Sequence, residues 1–227
     1  MRFLRGHWYD IGTIPMAVTL IYLIFNWSST EVLQKIALMN FFVIFWHQLE
    51  EYRFPGGEPA ITNLAMQPSR EGAADCCPLN QNNAMVINVV AAYTAYLLPV
   101  FFPDVLWLGF MPILFGMSQL IMHGILTPRK IGNKIYSPGF CAVFFGHVPL
   151  GIFWFYYTIS SGLLGWTDVL FGLIYQGLFI AVFMRKIGYG LLAGPDSKYK
   201  FPQEEFERGG YAEKIRRLQS AGQPDRS

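Results

Sequence analysis

Apolar residues along this chain come in long blocks, and the polar residues collect at the ends of those blocks. No Asp, Glu, Lys or Arg lies between Ile11 and Thr30, between Cys76 and Pro103, between Val105 and Met122, or between Val169 and Met184. From Ile135 to Thr167 the one ionisable side chain other than Cys and Tyr is His147. A helix of about 18 or more uncharged residues is long enough to cross a hydrocarbon core of about 30 Å. The pattern predicts six such helices, about Ile11–Trp27, Val32–Glu51, Ala84–Phe102, Val105–Leu126, Phe140–Ser160 and Leu163–Met184. The fold expected is all-α, a polytopic transmembrane helical bundle over residues 1–193, with a polar tail over 194–227.

The connections alternate in length. Ser28 to Glu31, Pro103-Asp104 and Ser161-Gly162 are short and share one side; Tyr52 to Asn83, Thr127 to Gly139 and both termini share the other. Residues 52–83 hold several Pro and Gly and no clear helical period, so they read either as a lid over the bundle or as a solvated excursion. In the tail, Gln203 to Gln219 reads as a short surface helix broken near Gly209-Gly210, its charges facing solvent or lipid headgroups.

Composition sharpens the class. Hydrophobic residues make up 53% of the 227 and charged ones 14%, against about 25% charged in an ordinary soluble domain. Sixteen of the seventeen Lys and Arg fall on the side of the termini, and Lys35 alone on the other. Basic residues favour the cytoplasmic side, so an integral membrane protein with both termini cytoplasmic is expected. A net charge of +2 gives no reason to expect a nucleic-acid partner. Three cysteines, two of them adjacent (Cys76, Cys77), make no disulfide framework.

Against this background Phe45-Trp46-His47-Gln48-Leu49-Glu50-Glu51-Tyr52 stands out. Residues three and four apart share a helix face, so His47, Glu50 and Glu51 converge at the last turn of an apolar helix, before Pro55-Gly56-Gly57 ends it. The topology brings His123, at the end of the fourth span, to the same depth. It also brings Asn82 and Tyr136 there, while His147 lies about 10 Å into the fifth span. Pro149 cannot donate a backbone hydrogen bond, which frees the carbonyl of Phe145 beside His147.

Ionisable groups in apolar helices are costly and mark functional sites. His47, Glu50, Glu51 and His123 are therefore candidate catalytic residues and candidate ligands of one or two divalent metal ions, zinc or iron. Asn82, Tyr136 and His147 are candidate substrate-binding residues. The plainer alternatives are solvated carboxylates at the interface, helix capping by Asn82 and Asn83, and a neutral His147 bonded to a helix carbonyl.

The chain resembles the HXXEE family of small integral membrane proteins in His47-Gln48-Leu49-Glu50-Glu51, in His123 and in Tyr136-Ser137-Pro138-Gly139, over most of Ala37 to Gly151. The resemblance implies membrane insertion and a shared site, and no particular reaction. The expectation drawn from the residues is an enzyme acting on a lipophilic, lipid or terpenoid-like substrate among membrane lipids, as a metal-dependent hydrolase or oxidase. A metal-free acid–base isomerase or cyclase is the first alternative, and a small transporter or carrier the second.

Overall fold

In the computed structural model, residues 1–69 and 72–221 are described; Arg70, Arg226 and the end of the expected tail lie outside them. Every regular element among the described residues is helical. Six helices are long and apolar enough to cross a membrane: α1 (Arg2–Asn26), α2 (Val32–Tyr52), α4 (Gln81–Phe101), α5 (Leu106–Lys130), α6 (Phe140–Ser160) and α7 (Trp166–Leu191). Between α2 and α4 lies a short helix, α3 (58–66), and the tail contains α8 (Tyr211–Ala221).

α2 is the axis of the bundle. It packs against α1, α4, α5 and α6, and it buries Asn40, His47, Gln48, Glu50 and Glu51 along with its apolar residues. A buried polar group needs a partner. Gln48 donates to the carbonyl of Asn88 on α4 (3.0 Å), which fixes the two helices in register. The outer faces of α1, α6 and α7 carry Ile14, Val18, Phe25, Phe145, Ile152, Ile159, Phe171 and Ile174 to the exterior, as helices facing lipid do.

Three helices widen as they pass α2, each just before a proline. The amide of Leu97 bonds the carbonyl of Ala92, that of Thr127 bonds Met122, and that of Val148 bonds Val143, all five residues back. Pro99, Pro128 and Pro149 follow within two residues and cannot supply the bond four back. The resulting π-helical turns contain Tyr96, His123 and His147 and direct all three inward, where they are buried.

The spans run further than the sequence pattern indicates at the end bearing the termini. α1 starts at Arg2, α5 continues to Lys130 and α7 to Leu191. Trp8 and Tyr9 supply the reason for the first: they are buried against Tyr52, Leu79, Phe201 and Phe206 in an apolar cluster outside the span cores. The described residues of 52–83 pack onto the bundle as a cover. Asn63 staples the segment, donating to the carbonyls of Ala74 and Leu79 and accepting from the amide of Leu79, each at 2.8 Å. Cys76 and Cys77 are free and buried in this cover, and burial pushes the Cys76 thiol up.

The tail forms the expected helix and breaks at Gly209 and Gly210, where φ is 73° and 72°. Several of its charges turn inward. Glu205 accepts from the Tyr9 hydroxyl (2.7 Å) and from Gln81 (2.8 Å), Arg208 donates to the Tyr52 carbonyl and the Tyr9 hydroxyl, and Lys214 donates to Asn133. Tyr211 and Ile215 close on Ile61 and Ile131. A surface helix with one apolar face finds a better partner in α3 than in water, which is why the tail docks.

Candidate functional site

The last two turns of α2 bring His47 and Glu51 together, four residues apart, with Nε2 to Oε1 at 3.2 Å. The π-turn of α5 brings His123 to the same oxygen, Nε2 to Oε1 at 3.4 Å. The two imidazoles meet edge to face, with centroids 4.8 Å apart. All three residues are almost fully buried, at 6%, 9% and 5% exposure.

The protonation of this trio can be read from its outer partners. His47 Nδ1 faces the carbonyl of Gly139 at 3.2 Å, and a carbonyl only accepts, so the hydrogen is on Nδ1. The Ser137 hydroxyl donates to the backbone carbonyl of His123 (3.0 Å) and so accepts from His123 Nδ1 (3.3 Å). In the neutral imidazoles both Nε2 atoms therefore carry lone pairs, and both point at a carboxylate oxygen. Three acceptors meet with no hydrogen between them. Such an arrangement needs a proton, on an imidazole or on the Glu51 carboxyl, or a metal ion.

Gly139 makes the convergence possible. Its φ is 96°, and a Cβ there would stand 2.7 Å from His47 Cε1 and 2.8 Å from His123 Cε1. A side chain at this position would push both rings off Glu51. The same turn, Ser137 to Phe140, thus supplies the partner of each histidine and the space for both.

Glu50 takes a different role from Glu51. Its carboxylate accepts from the backbone amides of Cys141 (3.1 Å) and Ala142 (2.9 Å) and from the Tyr136 hydroxyl (3.2 Å). Those amides are unpaired donors of the first turn of α6, so Glu50 caps that helix from α2. The cluster with metal-ligand spacing contains His47, Glu51 and His123 and leaves Glu50 out. Tyr136 is half-buried; burial, then the charge of Glu50, hold its phenol above the ordinary range, and it stays a donor.

His147 stands one layer deeper. Its ring lies 6.0 Å from that of His47, and its Nδ1 meets Asn40 Oδ1 at 2.7 Å, so its partner is a side chain where a helix carbonyl was the simpler expectation. Asn82 lies apart from the trio, in the first turn of α4, its amide bonded to Asn80 Oδ1 (3.0 Å). The reciprocal cap of that helix is made by Asn80 and Asn83, where the capping alternative named Asn82 and Asn83.

Asn40, Tyr96 and Glu58 do not stand out in the sequence pattern. Asn40 had a signal, being seven residues before His47 and so on the same stripe of α2. Glu58 begins α3, near Glu51; burial first, then the charge of Glu51, push its carboxyl up to about 8, against a lowering bond from Thr62.

Residues 38–154 match the model of a family described as a protein of unknown function with HXXEE motif. Neither the curated proteins nor the solved structures gave a match.

Proposed function

This chain belongs to the HXXEE-motif family, and from that premise we propose that it is a membrane enzyme whose chemistry depends on a divalent metal held by His47 Nε2, Glu51 and His123 Nε2. One observation carries the reading: the two imidazole nitrogens lie 3.2 and 3.4 Å from the Glu51 oxygen they share. Tetrahedral zinc with bonds of about 2.0–2.1 Å spaces its ligand atoms by about 3.3 Å. A proton shared between imidazolium and carboxylate draws them closer, to about 2.7–2.9 Å. The donor set, two histidines and a carboxylate, is the kind found on catalytic zinc and non-haem iron.

A bound ion would supply Lewis acidity and a nucleophile at neutral pH, or oxidation chemistry with iron. The chain's own residues do the rest. Gly139 and Ser137 hold each imidazole in the tautomer that presents Nε2, the usual supporting arrangement for metal-binding histidines. Glu50 fixes the start of α6, and with it the Ser137–Gly139 turn. Tyr136, a hydroxyl donor at the edge of the site, suits the polar end of a substrate. The substrate class follows from the surroundings: the turns that bear His123 and His147 carry Ile121, Ile125, Phe144 and Phe145 on their exposed sides. A lipophilic substrate, lipid or terpenoid-like, meets such a surface without leaving the bilayer. The excess of basic residues supports a cytoplasmic position for this end of the bundle and for both termini.

A second reading, metal-free acid–base isomerisation or cyclisation, has Glu58 in its favour. A carboxyl pushed up to about 8 keeps its proton at neutral pH and lies near the Glu51 carboxylate, the pairing of acid and base such chemistry uses.

Metal analysis of protein purified in mild detergent decides between them. About one zinc or iron ion per chain is expected for a mononuclear site, lost in Glu51→Gln and in His123→Ala. Protein that holds no metal and takes up neither zinc nor iron on titration would remove the first reading and leave the second.

A further inference from the structure

One stripe of α2 runs the length of the helix: Leu33, Ala37, Asn40, His47 and Glu51, spaced by three, four or seven. Its upper part borders a narrow cavity of about 20 Å³, lined by Leu33, Ala37, Asn40, Tyr96, Pro99 and Gly109 among others. The lining residues Leu33, Pro99 and Pro103 belong to the end of the bundle with the short connections, opposite the His47–Glu51–His123 cluster. At 1.5 Å per residue, Asn40 lies about 10 Å along α2 from His47, and Leu33 about 10 Å beyond that.

The deep end of the cavity is polar, and one group there is unsatisfied. The Tyr96 hydroxyl is buried without a hydrogen-bond partner among the described residues. Leaving a buried hydroxyl unpaired costs about 1–3 kcal/mol, so a partner is expected. Room for a water takes about 10–15 Å³, and the cavity supplies that room. His147 continues the line. Its Nδ1 is bonded to Asn40, and its ring lies 5.7 Å from that of Tyr96 and 6.0 Å from that of His47.

We propose that this cavity is a water entrance to the site, a station for one water between the short-connection end and the pair Tyr96 and Asn40. It is separate from the lateral approach of a lipophilic substrate. The proposal rests on the reading of the cluster as a water-consuming centre for its purpose, and on the cavity and the unpaired hydroxyl for its existence. The purpose follows from burial: a hydrolytic site sealed by α3 and the tail on one side and by lipid on the other needs a supply of water that neither gives. Asn40 and Tyr96 are then a binding station for water, and His147 stands between that station and the cluster.

The test uses the full-length protein in lipid nanodiscs and water itself as the probe. Brief X-ray exposure generates hydroxyl radicals from bound water, and mass spectrometry reads the side chains they modify. Tyr96 is expected to be modified about tenfold faster than Phe45, which is equally buried but packed among Phe41 and Tyr93 without a polar partner. Mixing with ¹⁸O-labelled water just before exposure should put the heavy isotope on Tyr96. Gly109→Leu, which fills the cavity where a Cβ meets Trp154 at ordinary contact distance, should bring Tyr96 down to the level of Phe45. Should that variant fail to fold, Gly109→Ala, with partial filling and partial loss of modification, replaces it. An unmodified Tyr96, modification by unexchanged ¹⁶O alone, or a rate indifferent to both substitutions would each overturn the entrance. Metal content measured on the same preparation reports on the cluster by itself, so a failed entrance and a failed metal centre give different results.

Discussion

Glu50 and Glu51 are adjacent in the chain and serve different structures. Glu51 turns into the cluster, its Oε1 3.2 Å from His47 and 3.4 Å from His123, while Glu50 turns to α6 and caps it through the amides of Cys141 and Ala142. Glu51→Gln should abolish metal binding, because an amide is a poor ligand beside two neutral imidazoles. Glu50→Gln should keep the metal and lower stability by about 1–2 kcal/mol, since one amide of α6 then faces an NH2 in place of a charged acceptor. Metal analysis and denaturant unfolding, run on both variants, check the division. Equal metal loss in the two would show that Glu50 is a ligand.

Gly139→Ala attacks the same centre through sterics. A Cβ there collides with both imidazoles, and a φ of 96° is itself costly for alanine, by about 1–2 kcal/mol. Metal affinity should fall by about 10–100-fold, the range for losing a group that orients a metal-binding histidine. Ser137→Ala, which removes the acceptor of His123 Nδ1 without a clash, should fall in the same range. Calorimetric titration with zinc measures both. Unchanged affinity in Ser137→Ala would mean that the tautomer of His123 is set by something else.

Glu58 predicts a dependence of stability on pH. Its carboxyl is raised to about 8 in the folded chain, above its ordinary value, so the folded state holds this proton more tightly than the unfolded state does. The contribution is fully present below the unfolded pKa of about 4.3 and is lost as pH rises through about 8. Glu58→Gln, permanently neutral, should therefore match the parent at pH 5 and exceed it above pH 8, by something on the order of 1–2 kcal/mol. The comparison belongs in chelator-treated protein, because a cation on Glu51 would lower the Glu58 value. A variant less stable than the parent at high pH would reverse the sign and refute the assignment.

Topology is open to a direct check. Ser29 and Ser161 are exposed in the short connections. Cysteines placed there should react with an impermeant reagent added outside intact cells, and cysteines at Arg129 or Lys130 should not. Labelling of the second pair alone would invert the bundle and put the His47–Glu51–His123 cluster at the external face.

The bundle was legible because a hydrocarbon crossing leaves a coarse mark, a charge-free block that no local detail can hide. The bounds were less so. Trp8 and Tyr9 extend α1 through contacts with residues near 200, and no local pattern announces such a partner. α3 escaped notice because its buried face, Pro59 to Asn63, is short and continuous, held by the Asn63 staple in place of an apolar period. In the site, spacing on α2 revealed His47 with Glu51, and depth revealed His123. Spacing could not separate Glu50 from Glu51, since neighbours on a helix differ by about 100° and only the surrounding helices decide which way is inward. Asn40 was missed because its partner, His147, is distant in sequence.

The docked tail has a consequence for biosynthesis. Arg208 grips Tyr9 and Tyr52, and Ile215 covers Ile61, so the first helix, the end of α2 and α3 wait for contacts made by residues near the end of the chain. A ribosome adding about 5–20 residues per second delivers those residues some seconds to tens of seconds after α2 has entered the membrane. Until then Tyr9, the Tyr52 carbonyl and Ile61 lack the partners that the tail brings. A terminator codon shortly before Arg208 would leave six intact membrane crossings and a centre that never closes. Truncated or C-terminally fused versions would then insert normally, pass every assay of membrane integration, and still lack a sealed site.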